Sequence, residues 1–153
     1  MVSEREHPYL RRCLELASEA LAAGDQPFGS VLVTADGAIA AEDRNRAASR
    51  DPTHHPEFEL ARWAATHLDE AGRAAATVYT SGEHCPMCAA AHGWVGLGRI
   101  VYATSAEQLA TWLGELGLPA PRVALLPIRA VAPDTPVEGP VDAFAEPIRA
   151  LHR

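Results

Sequence analysis

Two short stretches decide the reading of this chain: His55-Pro56-Glu57 and Cys85-Pro86-Met87-Cys88. One imidazole and two thiols make three soft-to-borderline donors, the number a catalytic zinc takes from protein when its fourth position is left for water. Glu57 stands two residues past the histidine and is free to handle protons beside that position. Thirty residues separate His55 from Cys85, room for a helix, a loop and a strand, so a metal here joins two elements distant in sequence. Pro52 disfavours helix at Asp51, which predicts a helix starting after it with His55 and Glu57 in the first turn. Pro56 is tolerated there because early helical N–H groups have no intrahelical partner. The predicted inner face is Phe58, Ala61, Ala64, Ala65 and Leu68. Pro86 opens a second helix that carries Cys85 and Cys88 at its N-terminus, where the dipole favours the thiolate a metal needs. Its body, Ala89 to Gly96, is apolar or small almost all round, as expected of a helix in the core or at a subunit interface.

Outward from these stretches, periodicity alternates between helix and strand. Leu10, Cys13, Leu14, Ala17 and Leu21 fall at helical spacing, and Gly24 is placed to end that helix. Ser30 to Thr34 is a strand, Asp36-Gly37 a turn, and Ala38 to Glu42 the returning partner. Asn45 to Thr53 reads as a polar loop. Ala75 to Thr80 and Arg99 to Ala103 are further strands. Ser105 and Gln108 form a capping box ahead of Leu109, Trp112, Leu113 and Leu116. A last strand is expected around Val123 to Leu126, resumed at Ile128 to Val131. From Ala132 a proline-rich tail runs to a short helix carrying Phe144, Ile148 and Leu151.

With 153 residues, 48% hydrophobic and 22% charged, the chain is expected to form one domain with a sizeable core. No apolar run approaches the ~18 residues that span a bilayer, and the first seven residues lack a secretion signal. Three cysteines, two of them in the C-x-x-C unit, do not make a disulfide framework. A cytoplasmic protein is expected. The formal charge is −7, and all thirteen basic residues are arginines scattered without a dense run. A polynucleotide would meet net repulsion, so a small, weakly charged substrate is favoured over nucleic acid.

Other readings of the same residues stay open. A C-x-x-C unit alone also serves redox chemistry or a closed structural zinc, which would need His84 or Glu83 as fourth ligand. His54 competes with His55, but only His55 has the x-Glu spacing; His84 is read as pocket rim. Phe28-Gly29 at a strand entrance either brings backbone close to a flat ligand or is core packing plus turn chemistry. Cys13 reads as a small core hydrophobe.

H-x-E followed by C-x-x-C is the signature of zinc-dependent base deaminases, and the chain resembles the cytidine deaminase-like superfamily, in the branch of guanine deaminases and bacterial tRNA adenosine deaminases. The resemblance runs from Leu10 to about Leu116 through Pro27-Phe28-Gly29-Ser30-Val31, Asn45, Asp51-Pro52-Thr53, His55, Glu57, Tyr79-Thr80-Ser81, Cys85-Pro86-Met87-Cys88 and Arg99 to Ala103. It implies an α/β fold, a three-layer α-β-α sandwich on a mixed five-stranded sheet, usually a homodimer with helices near the metal at the interface. It implies that Asn45 hydrogen-bonds the ring or sugar and that backbone near Ser81 contacts the leaving amine. Two positions depart from the family pattern: Pro56 stands where alanine is common, and His84 where proline usually precedes the first cysteine. The resemblance places the second of these at the border of the pocket, where it bears on substrate preference more than on the chemistry.

The expected function is hydrolytic deamination of a nucleobase or nucleoside, guanine first, with zinc on His55, Cys85 and Cys88 and Glu57 moving protons. Phe28, Asn45, Ser81 and His84 are the candidate substrate contacts. The alternatives are a tRNA adenosine deaminase, against which the acid balance argues, and a zinc-stabilised interaction protein without catalysis.

Overall fold

A computed structural model describes all 153 residues. After one 3-10 turn, the chain runs α1 (His7–Ala22), β1 (Gly29–Val33), β2 (Ile39–Arg44), α2 (Pro56–His67), α3 (Glu70–Ala75), β3 (Thr77–Gly82), α4 (Pro86–Trp94), β4 (Ile100–Thr104), α5 (Ala106–Glu115), α6 (Ile128–Val131), β5 (Val137–Glu138) and α7 (Ala145–Leu151). The five strands form one mixed sheet in the order β2-β1-β3-β4-β5. β1 is antiparallel to β2 and β3, whereas β3, β4 and β5 are parallel.

Alternation along the strands sorts the core into two layers. Val31, Val33, Tyr79, Val101 and Ala103 face Leu10, Cys13 and Leu16 of α1, Trp112 of α5, and Phe144 and Ile148 of the C-terminal segment. Leu32 and Val78 face the other way, onto Leu60, Ala61 and Ala64 of α2. Ile100 meets Ala89 of α4 and Ile128 of α6. The architecture is therefore helix layer, sheet, helix layer, as the resemblance implies.

Several local expectations are corrected. Val123 to Leu126 is not a strand: Val123 and Leu126 are 56% and 48% exposed, and no strand pairs with them. Ile128–Val131 is a helical turn rather than a resumed strand, because Pro127 fixes its entry at φ −65° and Glu83 caps the Ile128 N–H. The fifth strand is instead the pair Val137–Glu138, beside β4. The stretch after α2, for which no element is expected above, forms α3, since Asp69 accepts the Gly72 N–H and starts a new helix. On α2 the buried stripe is Pro56, Glu57, Leu60, Ala61 and Ala64, not Phe58 and Ala65. Burying Glu57 rotates the helix by about one position, and Phe58 turns to lie under the Arg62 guanidinium. On α1, Leu21 is 44% exposed and Leu16 takes its place in the core.

Candidate metal centre

α2 and α4 start on the same side of the sheet and pack on each other, which brings their first residues together. Each begins the same way, with a ligand as N-cap in extended conformation and a proline at the first helical position: His55-Pro56 and Cys85-Pro86. Cys88 follows Cys85 by one turn on the buried face of α4. Cys85 Sγ lies 3.4 Å from His55 Nδ1 and 3.5 Å from Cys88 Sγ, and Cys88 Sγ lies 3.7 Å from His55 Nδ1. A tetrahedral zinc with bonds of roughly 2.0–2.3 Å spaces its ligands about 3.3–3.8 Å apart. The triangle fits a zinc ion, with His55 offering Nδ1.

No fourth side chain completes the group: the potential metal ligands that converge here are these three. The competitors are held elsewhere. His54 points its Nε2 toward Asp43 at 3.5 Å and its Nδ1 toward Glu59 at 3.8 Å. Glu83 spends both oxygens on the backbone N–H groups of Ala106 and Ile128. His84 is not a rim residue; it is 1% exposed, and its ring stands edge-on to His92. It precedes the N-cap of α4, a position that packs back against the body of its own helix. Neither of its ring nitrogens has a partner.

The electrostatics suit a metal. The Cys88 S–H and the His55 ring, against the opposing effect of burial, hold the Cys85 thiol down at about 4, so it is a thiolate at neutral pH. That thiolate and burial raise Cys88 in turn, a conflict a divalent cation removes. Glu57 is 7% exposed, and burial raises its carboxyl while hydrogen bonds from Thr80 and Ser30 oppose the shift. Both hydroxyls reach the same oxygen: Ser30 Oγ at 2.8 Å and Thr80 Oγ1 at 2.7 Å from Oε1.

The other candidate residues are Asn45, Ser81 and Phe28. Asn45 is 2% exposed; its carboxamide oxygen accepts the Ala47 N–H at 2.8 Å, and its backbone N–H donates to the Phe28 carbonyl. Asp25 fixes the loop after it, accepting the N–H groups of Ala48 and Ser49 and the Ser49 hydroxyl. Ser81 is fully buried: its hydroxyl accepts the Gly29 N–H and its carbonyl accepts the Thr104 hydroxyl. Phe28 lies so close over Gly82 that a Cβ there would stand 3.1 Å from its ring. On its other side Phe28 meets the His152 ring at 5.1 Å. Sequence reasoning missed Ser30, Thr80, Asp25 and His152. Ser30 had a signal, being the one hydroxyl in an apolar strand, whereas Thr80 shares β3 with Thr77 and Ser81.

A mixed α/β sandwich with a histidine and two cysteines converging at the starts of two neighbouring helices defines a metalloprotein built to hold zinc with three protein ligands. Residues 3–104 match the model of the cytidine and deoxycytidylate deaminase zinc-binding region, about two thirds of the chain, and the chain belongs to that family. It is 41% identical over 97 residues to the guanine deaminase of Bacillus subtilis, 62% of either chain. It is 30% identical over 108 residues to a probable cytosine deaminase of Schizosaccharomyces pombe, 71% of this chain and 65% of that protein. The matched stretches thus span somewhat less than two thirds of these relatives. Among solved structures, Bacillus subtilis guanine deaminase superposes with a TM-score of 0.60 at 32% identity, covering 82% of this chain and 83% of that one. A tRNA:A34 deaminase gives 0.58 at 32% identity over 67% and 78%. Guanine deaminase from Nitrosomonas europaea, at 22% identity, shares the fold over 99% of this chain with a TM-score of 0.71.

Proposed function

We propose that this chain is a zinc-dependent aminohydrolase that replaces the ring amino group of a free nucleobase or nucleoside by oxygen and releases ammonia, with guanine the first substrate to test. One observation carries the reading. A buried carboxylate, Glu57, is fixed through Oε1 beside three metal-ligating side chains that leave a coordination position open. Zinc held by His55, Cys85 and Cys88 supplies an acidified water, with a pKa lowered to about 7. Glu57 would take one proton of the attacking water and pass it to the ring nitrogen, then take the second from the hydroxyl so added and deliver it to the amine, which leaves as ammonia while the C=O forms. Its raised proton affinity suits a group that must hold a proton between those transfers.

Asn45 offers its NH₂, which donates to no protein group, for a ring or sugar acceptor. Phe28 supplies an aromatic wall, and Ser81 fixes the strand end, its hydroxyl accepting the Gly29 N–H and its carbonyl the Thr104 hydroxyl. His84, sealed against His92, drops out of the substrate contacts. Trp94 on α4 is 89% exposed beside the small residue Gly93, which supports a homodimer formed through this helix. Three unpaired thiols suit a reducing compartment such as the cytoplasm, and no helix is long and apolar enough to cross a membrane.

The test is an ammonia-release screen of zinc-loaded protein over guanine, adenine, cytosine, their nucleosides and amino-triazines. At least one is expected to turn over, and Glu57→Ala is expected to keep its zinc while losing turnover. Zinc-replete protein inactive on every compound would sink the reading in favour of an interaction protein. Salt-sensitive deamination of an anticodon stem-loop alone would move it to the tRNA-acting relatives, of which one from Haemophilus influenzae is 35% identical over 104 residues.

A further inference from the structure

A carboxylate can present either oxygen to a proton donor, and an unrestrained glutamate side chain samples several staggered rotamers. In Glu57 the two oxygens are not equivalent, because both hydrogen bonds from neighbouring side chains end on Oε1. The donors, Ser30 and Thr80, are also 2.8 Å from each other, so the three oxygens form a closed triangle. Strand register builds it: Ser30 lies directly opposite Thr80 in the antiparallel β1–β3 pair. Both point to the face on which their strand neighbours Leu32 and Val78 meet α2. Ser30 and Thr80 are wholly buried. Burying two hydroxyls in an apolar face is costly unless each is used, and here each is used on Glu57.

We propose that Ser30 and Thr80 are positioning residues that fix Glu57 through Oε1 and so reserve Oε2 as the oxygen that moves protons. The catalytic half rests on the aminohydrolase reading, whereas the pin itself stands on the triangle alone. The two donors are not interchangeable. Thr80 has a second acceptor, the Gly82 carbonyl at 2.9 Å, while Ser30 has only Glu57 and Thr80. Without Ser30, the single Thr80 proton is shared between a carboxylate and a carbonyl. The side chain of Glu57 then regains the freedom to present either oxygen.

Two measurements on the full-length protein decide the matter. The first needs no turnover: a double-mutant cycle of unfolding on metal-free protein, combining Ser30→Ala with Glu57→Ala. The pin predicts that the effect of Ser30→Ala on the unfolding equilibrium constant differs by about five-fold or more between the two backgrounds; additivity within about two-fold would overturn it. The second reads the zinc-loaded enzyme on whichever compound yields ammonia. Ser30→Ala and Thr80→Val are expected to lower kcat about ten-fold or more, with zinc content unchanged and KM nearly so, while Thr80→Ser retains activity. Coupling in the first assay with unchanged kcat in the second would reduce the pair to a structural role and overturn the positioning claim. Absence of turnover in the unsubstituted enzyme would instead strike the aminohydrolase reading, with the unfolding cycle still deciding whether the pin exists.

Discussion

Glu83 accepts the backbone N–H of Ile128 at 2.9 Å, across forty-five residues of chain, while its other oxygen accepts that of Ala106 at 3.0 Å. One carboxylate thus caps the starts of both α5 and α6. Neither helix can replace it: Pro127 has no side chain able to cap α6, and the Ser105 hydroxyl is already used on the Gln108 N–H. Glu83 also sits two residues before Cys85, so the cap ties the metal-bearing turn to the segment behind it. Removing it strands two N–H groups. Glu83→Ala is expected to lower stability by about 2–4 kcal/mol, from hydrogen bonds to a charged acceptor. Denaturant unfolding measures this, and hydrogen exchange should quicken at the Ala106 and Ile128 amides. Unchanged exchange at both would show that the cap is idle.

The three thiols should separate sharply in reactivity. In metal-free protein Cys85, held near 4 by its neighbours, is a thiolate at pH 6 and partly exposed. Cys13 is fully buried, burial pushes its thiol well up, and it donates to the Tyr79 carbonyl at 3.2 Å. Iodoacetamide followed by peptide mass spectrometry should label Cys85 first and Cys13 only on unfolding. Zinc should protect Cys85 and Cys88 and stabilise the fold, by about 2.7 kcal/mol when free zinc is a hundred times its Kd. Labelling of Cys13 in folded protein at the rate of Cys85 would contradict the core assignment.

The spacing of His55, Glu57, Cys85 and Cys88 was legible in the sequence because helix starts carry their own punctuation, here a proline straight after His55 and straight after Cys85. The Ser105–Gln108 box was legible for the same reason. Val137–Glu138 was not, since a two-residue strand in the three positions between Pro136 and Pro140 leaves no pattern to read. Val123 to Leu126 looked like a strand by composition alone, and composition does not say whether a neighbour is there to pair with it. The burial of His84, the double cap of Glu83 and the Ser30–Thr80 pairing are all products of register and helix packing. The last two bring together residues distant in sequence, which no local pattern encodes. Even so, a serine in Gly29–Val33 and a threonine in Thr77–Gly82, both fully buried, mark where the sheet departs from plain packing.

His152 makes stability depend on pH. Burial between Phe28 and Trp112 holds its ring down at about 4, against an ordinary value near ~6.5. Below pH ~6.5 the unfolded chain takes up a proton that the folded chain refuses until about 4. Its contribution is therefore complete above pH ~6.5 and is lost as pH falls through that window. His152→Leu keeps apolar bulk and removes the titration. Proton uptake on unfolding near pH 5 should fall by about one in the variant, read as a flatter dependence of the unfolding free energy on pH. Parallel profiles for the two proteins would place His152 in water.

Gly29 opens β1 where α1 crosses the sheet, and there is no room for a side chain. A Cβ added to it would lie 2.4 Å from Leu16 Cβ, 2.6 Å from the Cys13 carbonyl oxygen and 2.8 Å from the Ala17 nitrogen. Two of these are helix backbone, so relief requires moving α1 rather than turning a side chain. Such a shift would break the packing of Cys13 and Leu16 on Val31 and Tyr79. It would also pull Gly29 from the Ser81 hydroxyl and strain the neighbouring Ser30–Thr80 pairing. Gly29→Ala is expected to destabilise by about 3 kcal/mol or more, beyond the usual range of overpacking, and to weaken zinc retention through the displaced strand end. Thermal unfolding of the purified variant, with zinc determined per chain, checks both. A variant as stable as the parent would mean that α1 stands further from the sheet than these contacts place it.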